Sequence, residues 1–147
     1  MKISTKGRYG LRAMLDLALN SRGGHVALNT IAERQNISSN YLEQVFSILR
    51  KAGLVNSVKG AQGGYVLADN AHRITVGQIL RVLEGDLAVA GDDSENEPDN
   101  PVEYCLKKHV WEKINESINE VVDAMTLEDL LVNYTRMQGQ MSLMFYI

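Results

Sequence analysis

Residues 29–53, NTIAERQNISSNYLEQVFSILRKAG, decide the fold of this chain. Their first part predicts a short helix from Asn29 to Gln35 that buries Ile31 and Ala32. After a link of about three residues, a tight turn typical of a helix-turn-helix, Ser38 or Ser39 caps a second helix. The apolar side chains of this second helix recur at helical spacing as Leu42, Val45, Phe46 and Leu49.

Apolar spacing predicts a further helix ahead of this unit, with Ser4 as its N-cap. Its apolar residues recur at i, i+3, i+4 and i+7 as Leu11, Met14, Leu15 and Ala18. After the unit, residues 54–59 and 65–67 have the character of two short strands, and the glycine-containing loop 60–64 predicts a hairpin. Helix, helix-turn-helix and hairpin in this order make a winged helix. We therefore expect a fold that is mainly α with a small β-hairpin wing.

The remainder of the chain alternates between helical and irregular patterns. Residues 75–78 have capping-box spacing for a helix through Leu83, whereas residues 84–103 carry glycines, prolines and carboxylates and predict an acidic loop. A seam with 3-4-3-4 spacing follows, formed by Trp111, Ile114, Ile118, Val121 and Met125. The seam is short for an independent coiled coil, so we expect it to pair with a second copy while packing on its own domain.

We divide the chain into three parts. Residues 1–83 are expected to form a winged helix-turn-helix domain, residues 84–103 an acidic loop, and residues 104–147 a dimerisation helix with a C-terminal tail. A capping box at residues 126–129 predicts one or two further helical turns, and the tail at residues 141–147 is apolar and uncharged.

Charge differs in sign between the two parts of the chain. Residues 1–83 carry 11 Lys and Arg against 4 Asp and Glu, a net charge of +7, and residues 84–147 carry 4 against 14, a net charge of −10. Such asymmetry is typical of a nucleic-acid module joined to an acidic partner module. The net charge of −3 for the whole chain conceals this division.

The turn and helix at residues 37–46, which include Ser38 and Ser39, are the best candidates for contact with DNA bases. Asn and Gln pair with adenine, Glu accepts from cytosine, and Ser serves either. The outward face of this helix holds Asn40, Glu43, Gln44, Ser47 and Lys51. An ordinary polar surface helix would look similar, but the tight turn, the hairpin and the local charge favour DNA.

The hairpin loop is the candidate wing tip, with Lys59, Gly60 and Gln62 exposed to a partner. Lys59 supplies charge, and the three glycines of the loop allow a close approach of the backbone to phosphates. A nucleotide-phosphate loop is the rival interpretation. It is disfavoured because no Gly-Lys-Ser/Thr ends the loop and no long helix follows at once.

Composition excludes several classes of protein. One cysteine, Cys105, leaves no internal disulfide framework and favours a reducing cytoplasm. No apolar run approaches the roughly 18 residues of a membrane span, and no nucleophile–base pair indicates an enzyme. Cys105 and His109, at i and i+4, could bind a metal or sense oxidants, but we favour a buried structural cysteine beside a surface histidine.

Six motifs spread over the whole chain are specific in combination: residues 1–10 (MKISTKGRYG), 38–44 (SSNYLEQ), 59–65 (KGAQGGY), 83–85 (LEG), 105–111 (CLKKHVW) and 126–130 (TLEDL). Together they resemble the IscR/NsrR/CymR family of bacterial winged-helix regulators. The resemblance implies a homodimer, a long dimerisation helix after the loop, and palindromic operators. By the resemblance, two wing residues would lie in the minor groove of the DNA, Lys59 and Gly60. Four residues of the second helix and its cap would lie in the major groove: Ser38, Tyr41, Glu43 and Gln44.

The resemblance fails at the ligands of an iron–sulfur cluster. IscR- and NsrR-like members supply three cysteines, and this chain keeps only Cys105, at the third position. Lys108 stands where IscR-like members have histidine, and Arg8 where NsrR-like members have a carboxylate. One thiolate is a poor cluster site, so we predict no cofactor. A two-iron two-sulfur cluster with altered or substituted ligands is the alternative.

The expected function is that of a cytoplasmic, dimeric, DNA-binding repressor of cysteine or sulfur metabolism. One alternative is a cluster-sensing regulator of cluster biogenesis, and another is a protein–protein adaptor whose winged helix does not bind DNA. The resemblance also implies that the C-terminal Tyr146 and Ile147 bind a cysteine synthase, whose active site would read the terminal carboxylate. Packing of the tail on its own dimer is the competing interpretation.

Overall fold

A computed structural model describes residues 2–90 and 100–146. Its helices and strands, in chain order, are α1 (Thr5–Asn20), α2 (Leu28–Gln35), α3 (Ser39–Lys51), β1 (Val55–Val58), β2 (Gly64–Leu67), α4 (Val76–Glu84), α5 (Pro101–Leu106), α6 (Glu112–Ala124) and α7 (Leu127–Tyr146). Short 3-10 turns lie at Ser21–Gly23 and Ala71–Arg73. A π-helical turn at Lys107–Trp111 joins α5 to α6 without a break. The expected class, mainly α with a hairpin wing, is confirmed.

The helix-turn-helix forms where the sequence predicts it. Helix α2 ends at Asn36, whose left-handed backbone (φ 53°) turns the chain towards α3. Ser38 is the N-cap of α3, and its hydroxyl accepts a hydrogen bond from the Tyr41 N–H at 3.4 Å. The predicted apolar stripe of α3 is buried in the main core. One face of α3 is therefore fixed inward, and the opposite face is left to solvent.

The wing is a three-segment unit rather than a lone hairpin. Strands β1 and β2 pair antiparallel, with Val55 opposite Leu67. Val26, from the segment before α2, joins the far side of β2, since it exchanges two 2.9 Å backbone hydrogen bonds with Tyr65. The Tyr65 ring in turn lies 4.9 Å from the ring of Phe46 on α3. These contacts fix the direction of the wing relative to α3.

A buried carboxylate joins α1 to α2. Asp16 is only 3% exposed, and its oxygens accept hydrogen bonds from the Arg34 guanidinium at 2.7 and 3.0 Å and from the Gln35 amide at 2.8 Å. Burial of a carboxylate costs free energy unless charge and hydrogen bonds compensate it, and here they do. The pKa of Arg34 is raised by its hydrogen bonds with Asp16.

A second carboxylate joins the start of α1 to the end of α4. One oxygen of Glu84 accepts from the Ser4 N–H and hydroxyl and from the Gly7 N–H. Ser4 is the N-cap as expected, but its hydroxyl bonds Glu84 instead of capping its own helix. Gly7 is required here, because a Cβ would lie 2.3 Å from that oxygen. Glu84 thus supplies the negative charge that a helix N-terminus favours, beside the basic Lys6.

Two capping boxes lie side by side where the C-terminal helices meet the winged domain. Thr75 and Gln78 cap α4, as predicted, and Thr126 caps α7 with Asp129. The Val76 N–H donates to the Met125 carbonyl at 2.8 Å, and the Leu127 N–H donates to the Ile74 carbonyl at 2.9 Å. This short antiparallel pairing fastens α6 and α7 to α4.

Two expectations about the C-terminal part need correction. Helix α5 begins at Pro101, with Asn100 as its N-cap, inside the segment expected to be a loop. Helix α7 is 20 residues long rather than one or two turns, because no proline interrupts it. The acidic residues 92–99 lie outside the described part of the chain. Within residues 2–90 and 100–146, no helix is long and apolar enough to cross a membrane.

The Glu84 junction predicts a pH-dependent stability. The Ser4 hydroxyl, the backbone N–H groups of Gly7 and Ser4, and the charge of Lys6 all hold the pKa of Glu84 below its ordinary value of 4.5. A carboxyl whose pKa is lowered by folding stabilises the fold above its ordinary pKa, and this contribution disappears as the pH falls through the folded value. Glu84→Gln should therefore lower the melting temperature at about pH 6–8, and the difference from wild type should vanish in acid.

Thermal melting followed by circular dichroism across this pH range measures the effect. The matched control is Glu33→Gln, which removes an exposed carboxylate from α2. Equal melting curves for Glu84→Gln and Glu33→Gln at neutral pH would contradict the role assigned to the junction.

Candidate nucleic-acid interface

The exposed face of α3 presents the polar side chains that the sequence predicts. Asn40, Glu43, Gln44 and Ser47 line a shallow concave surface together with Ile48. Lys51 is exposed at the end of the same helix, and Ser38 is exposed at its start. The α3 surface, as we name these residues, offers amide, carboxylate and hydroxyl groups to a base edge and an ammonium to a phosphate.

Tyr41 and Ser39, like Ser47 on the α3 surface, are only partly exposed. The Tyr41 ring meets the Tyr9 ring edge-on, with centroids 6.2 Å apart, and the Arg12 guanidinium lies 4.7 Å above the Tyr9 ring. Arg12 also donates to the Gln35 carbonyl at the end of α2. Sequence reasoning missed Tyr9 and Arg12 as the support of Tyr41. Their i, i+3 spacing was the available signal.

The wing tip exposes Lys59, Gly60 and Gln62, as expected. Gly60 has a φ of 118° with open space around it, so the backbone there is accessible and its conformation favours glycine. The other two glycines serve the fold instead. A Cβ at Gly63 would lie 2.1 Å from the Val58 carbonyl, and one at Gly64 would lie 2.2 Å from that of Val26. The presence of these two glycines is therefore explained by the fold alone, and the approach of the loop backbone to phosphates stays a prediction.

Basic side chains are exposed over much of the winged domain that carries these two elements. Of the 11 Lys and Arg in residues 1–83, Arg34 and Arg81 form salt bridges with Asp16 and Asp123. The other nine side chains are exposed: Lys2, Lys6, Arg8, Arg12, Arg22, Arg50, Lys51, Lys59 and Arg73. The positive charge of the winged domain therefore lies largely at its surface, where it can attract phosphates.

Cys105 is exposed on α5, which contradicts the expectation of a buried structural cysteine. The cause is that α5 has no buried residue, so this turn of helix lies outside the core. His109 is exposed as expected. Within the described ranges, no three His, Cys, Asp or Glu side chains lie close enough together to hold a metal ion.

The residues present do not fit an iron–sulfur cluster. Such clusters require several thiolates, and the chain has one cysteine, with neither cysteine nor histidine in residues 91–99. Arg8, at the position of a family carboxylate ligand, carries the wrong charge for a metal ligand and is exposed.

The expected dimerisation seam divides into two sets of residues. Ile118 and Met125 pack within the same chain, on Val76 and Leu80 of α4 and on Leu87. Ile114 and Val121 remain 39% and 58% exposed, and Trp111 is half-buried in the π-helical turn. On α7, the exposed apolar side chains include Met137, Met141 and Met144. Of the C-terminal pair, Ile147 and the side chain of Tyr146 lie outside the described residues.

A family model, sequence relatives and solved structures all relate this chain to transcriptional regulators. The family Rrf2, described as "Iron-dependent Transcriptional regulator", matches residues 3–133. The chain is 46% identical over 147 residues to the HTH-type transcriptional regulator CymR of Bacillus subtilis (strain 168), with 100% of both proteins covered.

Solved structures agree with the sequence match. The structure of "CymR (YrzC) the Global Cysteine Regulator of B. subtilis" has a TM-score of 0.77 at 44% identity, covering 90% of this chain and 98% of that chain. T. potens IscR has a TM-score of 0.72 at 51% identity, covering 91% and 88%. The chain therefore belongs to the Rrf2 family of transcriptional regulators.

Proposed function

We propose that this regulator acts as a homodimeric repressor of cysteine or sulfur metabolism that binds an inverted-repeat operator. The α3 surface is the observation that carries the proposal, because its polar groups sit on a helix held rigidly by a buried opposite face. The exposed positive charge of the same domain supports DNA rather than a protein partner.

In this proposal the α3 surface enters the major groove and the wing tip enters the neighbouring minor groove. Asn40, Glu43 and Gln44 read base edges, while Ser38, Ser39 and Tyr41 contact the DNA at the start of α3. Lys51, Lys59, Gly60 and Gln62 contact the backbone or the minor groove. Two copies of α3 would lie about one turn of duplex apart, roughly 34 Å.

Two single substitutions separate base reading from phosphate binding. Gln44→Ala should cost about 1–3 kcal/mol on the selected operator and relax preference at one or two positions, because a bidentate base contact is lost. Lys59→Ala should weaken operator and scrambled duplex alike and reduce the salt slope by about 1. Fluorescence anisotropy at several salt concentrations, on a duplex selected by the wild type from a random pool, measures both.

The adaptor alternative makes the opposite prediction for wild type. A winged helix that does not bind DNA would show neither preference for a selected duplex nor a steep loss of affinity with salt. Equal, weak binding of wild type and both variants to all duplexes would exclude the proposed function.

The apolar residues left exposed on α5, α6 and α7 support the homodimer. Val102, Ile114 and Val121 project from the continuous helical stretch 101–124, which is long enough to cross a second copy. A monomer rarely exposes so many large apolar side chains along connected helices.

Val121→Asp tests the dimer more cleanly than a change at Ile118, which also packs on its own domain. A carboxylate buried without a partner in the interface should convert the protein to monomers that bind the operator weakly, because two half-sites must be held together. Sedimentation equilibrium measures the mass. Val58→Asp, the same change at another exposed valine, is the matched control and should stay dimeric. A dimeric Val121→Asp variant would place the interface elsewhere.

The proposed role in sulfur metabolism is based on the similarity to CymR of Bacillus subtilis, whose structure is described as that of the global cysteine regulator. The poor cluster ligand set favours this role over the IscR-like alternative of a cluster sensor. In place of a cluster, we propose a cysteine synthase as the sensor, bound through Tyr146 and the carboxylate of Ile147.

Removal of Ile147 tests this partner. The truncated protein should keep its fold, its dimeric mass and its affinity for the operator, and should lose binding to a cysteine synthase in calorimetry, since the anchor is gone. A variant with one residue added before Met1 is the control, because it changes the other end of the chain and should still bind the cysteine synthase. A lowered melting temperature, with no cysteine synthase bound by the full chain, would indicate that the tail only packs.

A further inference from the structure

His25 is a polar residue at the wing that the function proposed above does not use. It lies directly before Val26, the residue that pairs with Tyr65 of β2. Its ring nitrogen Nε2 is 2.5 Å from the main-chain oxygen of Gln62 in the wing tip. A carbonyl oxygen can only accept, so Nε2 carries the hydrogen and donates it.

The wing tip has few other restraints. Strands β1 and β2 are four residues each, and an isolated two-stranded hairpin of this size is marginally stable in water. Between the strands, the Gly63 N–H donates to the Gly60 carbonyl and closes a turn. Gly60, at a φ of 118°, has no side chain to pack. At the Gln62 carbonyl, the loop accepts a hydrogen bond from a side chain outside the hairpin, that of His25.

The position of His25 makes the tie effective. Val26 is held by two backbone hydrogen bonds to Tyr65, one through its N–H and one through its carbonyl, and Tyr65 packs on Phe46 of α3. The imidazole therefore projects from a segment that is fixed relative to the α3 surface. Its hydrogen bond to the Gln62 carbonyl restricts the motion of the wing tip, which carries Lys59 and Gly60, relative to that segment.

We propose that His25 is a positioning residue for DNA binding, which holds the wing tip in the orientation that its minor-groove contact requires. The inference rests on the proposed DNA function and assigns the wing tip a restraint in addition to the strand pairing and the Val26–Tyr65 bridge. His25 acts through the loop, so the donor hydrogen of its ring is the feature that matters.

Two variants isolate that donor. His25→Phe keeps a ring of similar shape and loses the donor, whereas His25→Gln keeps an N–H donor and loses the ring. His25→Phe should weaken binding to the selected operator about three- to tenfold, the range expected for one hydrogen bond, and His25→Gln should stay within about twofold of wild type. His72→Phe, at an exposed histidine in the turn Ala71–Arg73, is the matched control and should bind as wild type.

A double-mutant cycle shows whether His25 acts through the wing tip. When Lys59→Ala has already removed the phosphate contact, His25→Phe should add less than about a twofold further loss. Hydroxyl-radical footprinting should show reduced protection at the outer flanks of the site for His25→Phe, with the central major-groove protection retained. Melting temperatures and dimer mass confirm that each variant is folded.

The outcomes separate this inference from the proposed function. If Lys59→Ala weakens binding and His25→Phe does not, or if His25→Gln is as weak as His25→Phe, the role of His25 is wrong and the proposed function stands. Full additivity of the two substitutions would show a direct contact with DNA and would also overturn the positioning role. If Lys59→Ala has no effect on any duplex, the wing contact itself is wrong, and this inference falls with it.

Discussion

The geometry of the helix-turn-helix depends on one buried carboxylate. Asp16 lies inside α1, where an uncompensated charge would destabilise the fold, and Arg34 and Gln35 of α2 satisfy it. Because both donors stand at the end of α2, they fix that end against α1 just before the left-handed turn at Asn36. The direction in which α3 leaves the turn follows from this anchor. The orientation of the α3 surface therefore depends on the contact between Asp16 of α1 and the end of α2, the helix before α3.

The close approach of α4 to its neighbours α1 and α6 relies on glycine facing a charged side chain. At one junction Gly7 leaves room for Glu84, and at the other Gly77 leaves room for Asp123, which Arg81 binds at 2.6 Å. In both, a Cβ would collide with a carboxylate oxygen. The charged groups bridge α4 to α1 on one side and to α6 on the other, so a shift of α6 would displace α4 and, through Glu84, the start of α1. This chain of contacts is a physical connection between the C-terminal helices and the winged domain.

The sequence predicts local structure well where one pattern controls it, and less well where distant residues decide. The stripe of α3, the cap at Ser38 and the capping box at Thr75 are local signals, and all three are confirmed. Helix α7 was underestimated because a capping box marks only a beginning, and the apolar tail gave no clue to its helical state. Asp16 and Glu84 bind residues that lie 18 and 80 positions away in the sequence, which no periodicity encodes. For the candidate interface, the sequence predicted which α3 residues are exposed but not what holds the wing.

The division of charge acquires a physical meaning on this architecture. Positive side chains lie exposed on the domain that carries the α3 surface and the wing, whereas the C-terminal part holds 14 carboxylates against 4 basic residues. A polyanion is attracted to the first and repelled by the second, so the charge distribution favours contact of DNA with the winged domain over contact with the C-terminal part. Ile114 and Val121 lie exposed on the same acidic helix α6, so that helix presents apolar as well as charged side chains to solvent.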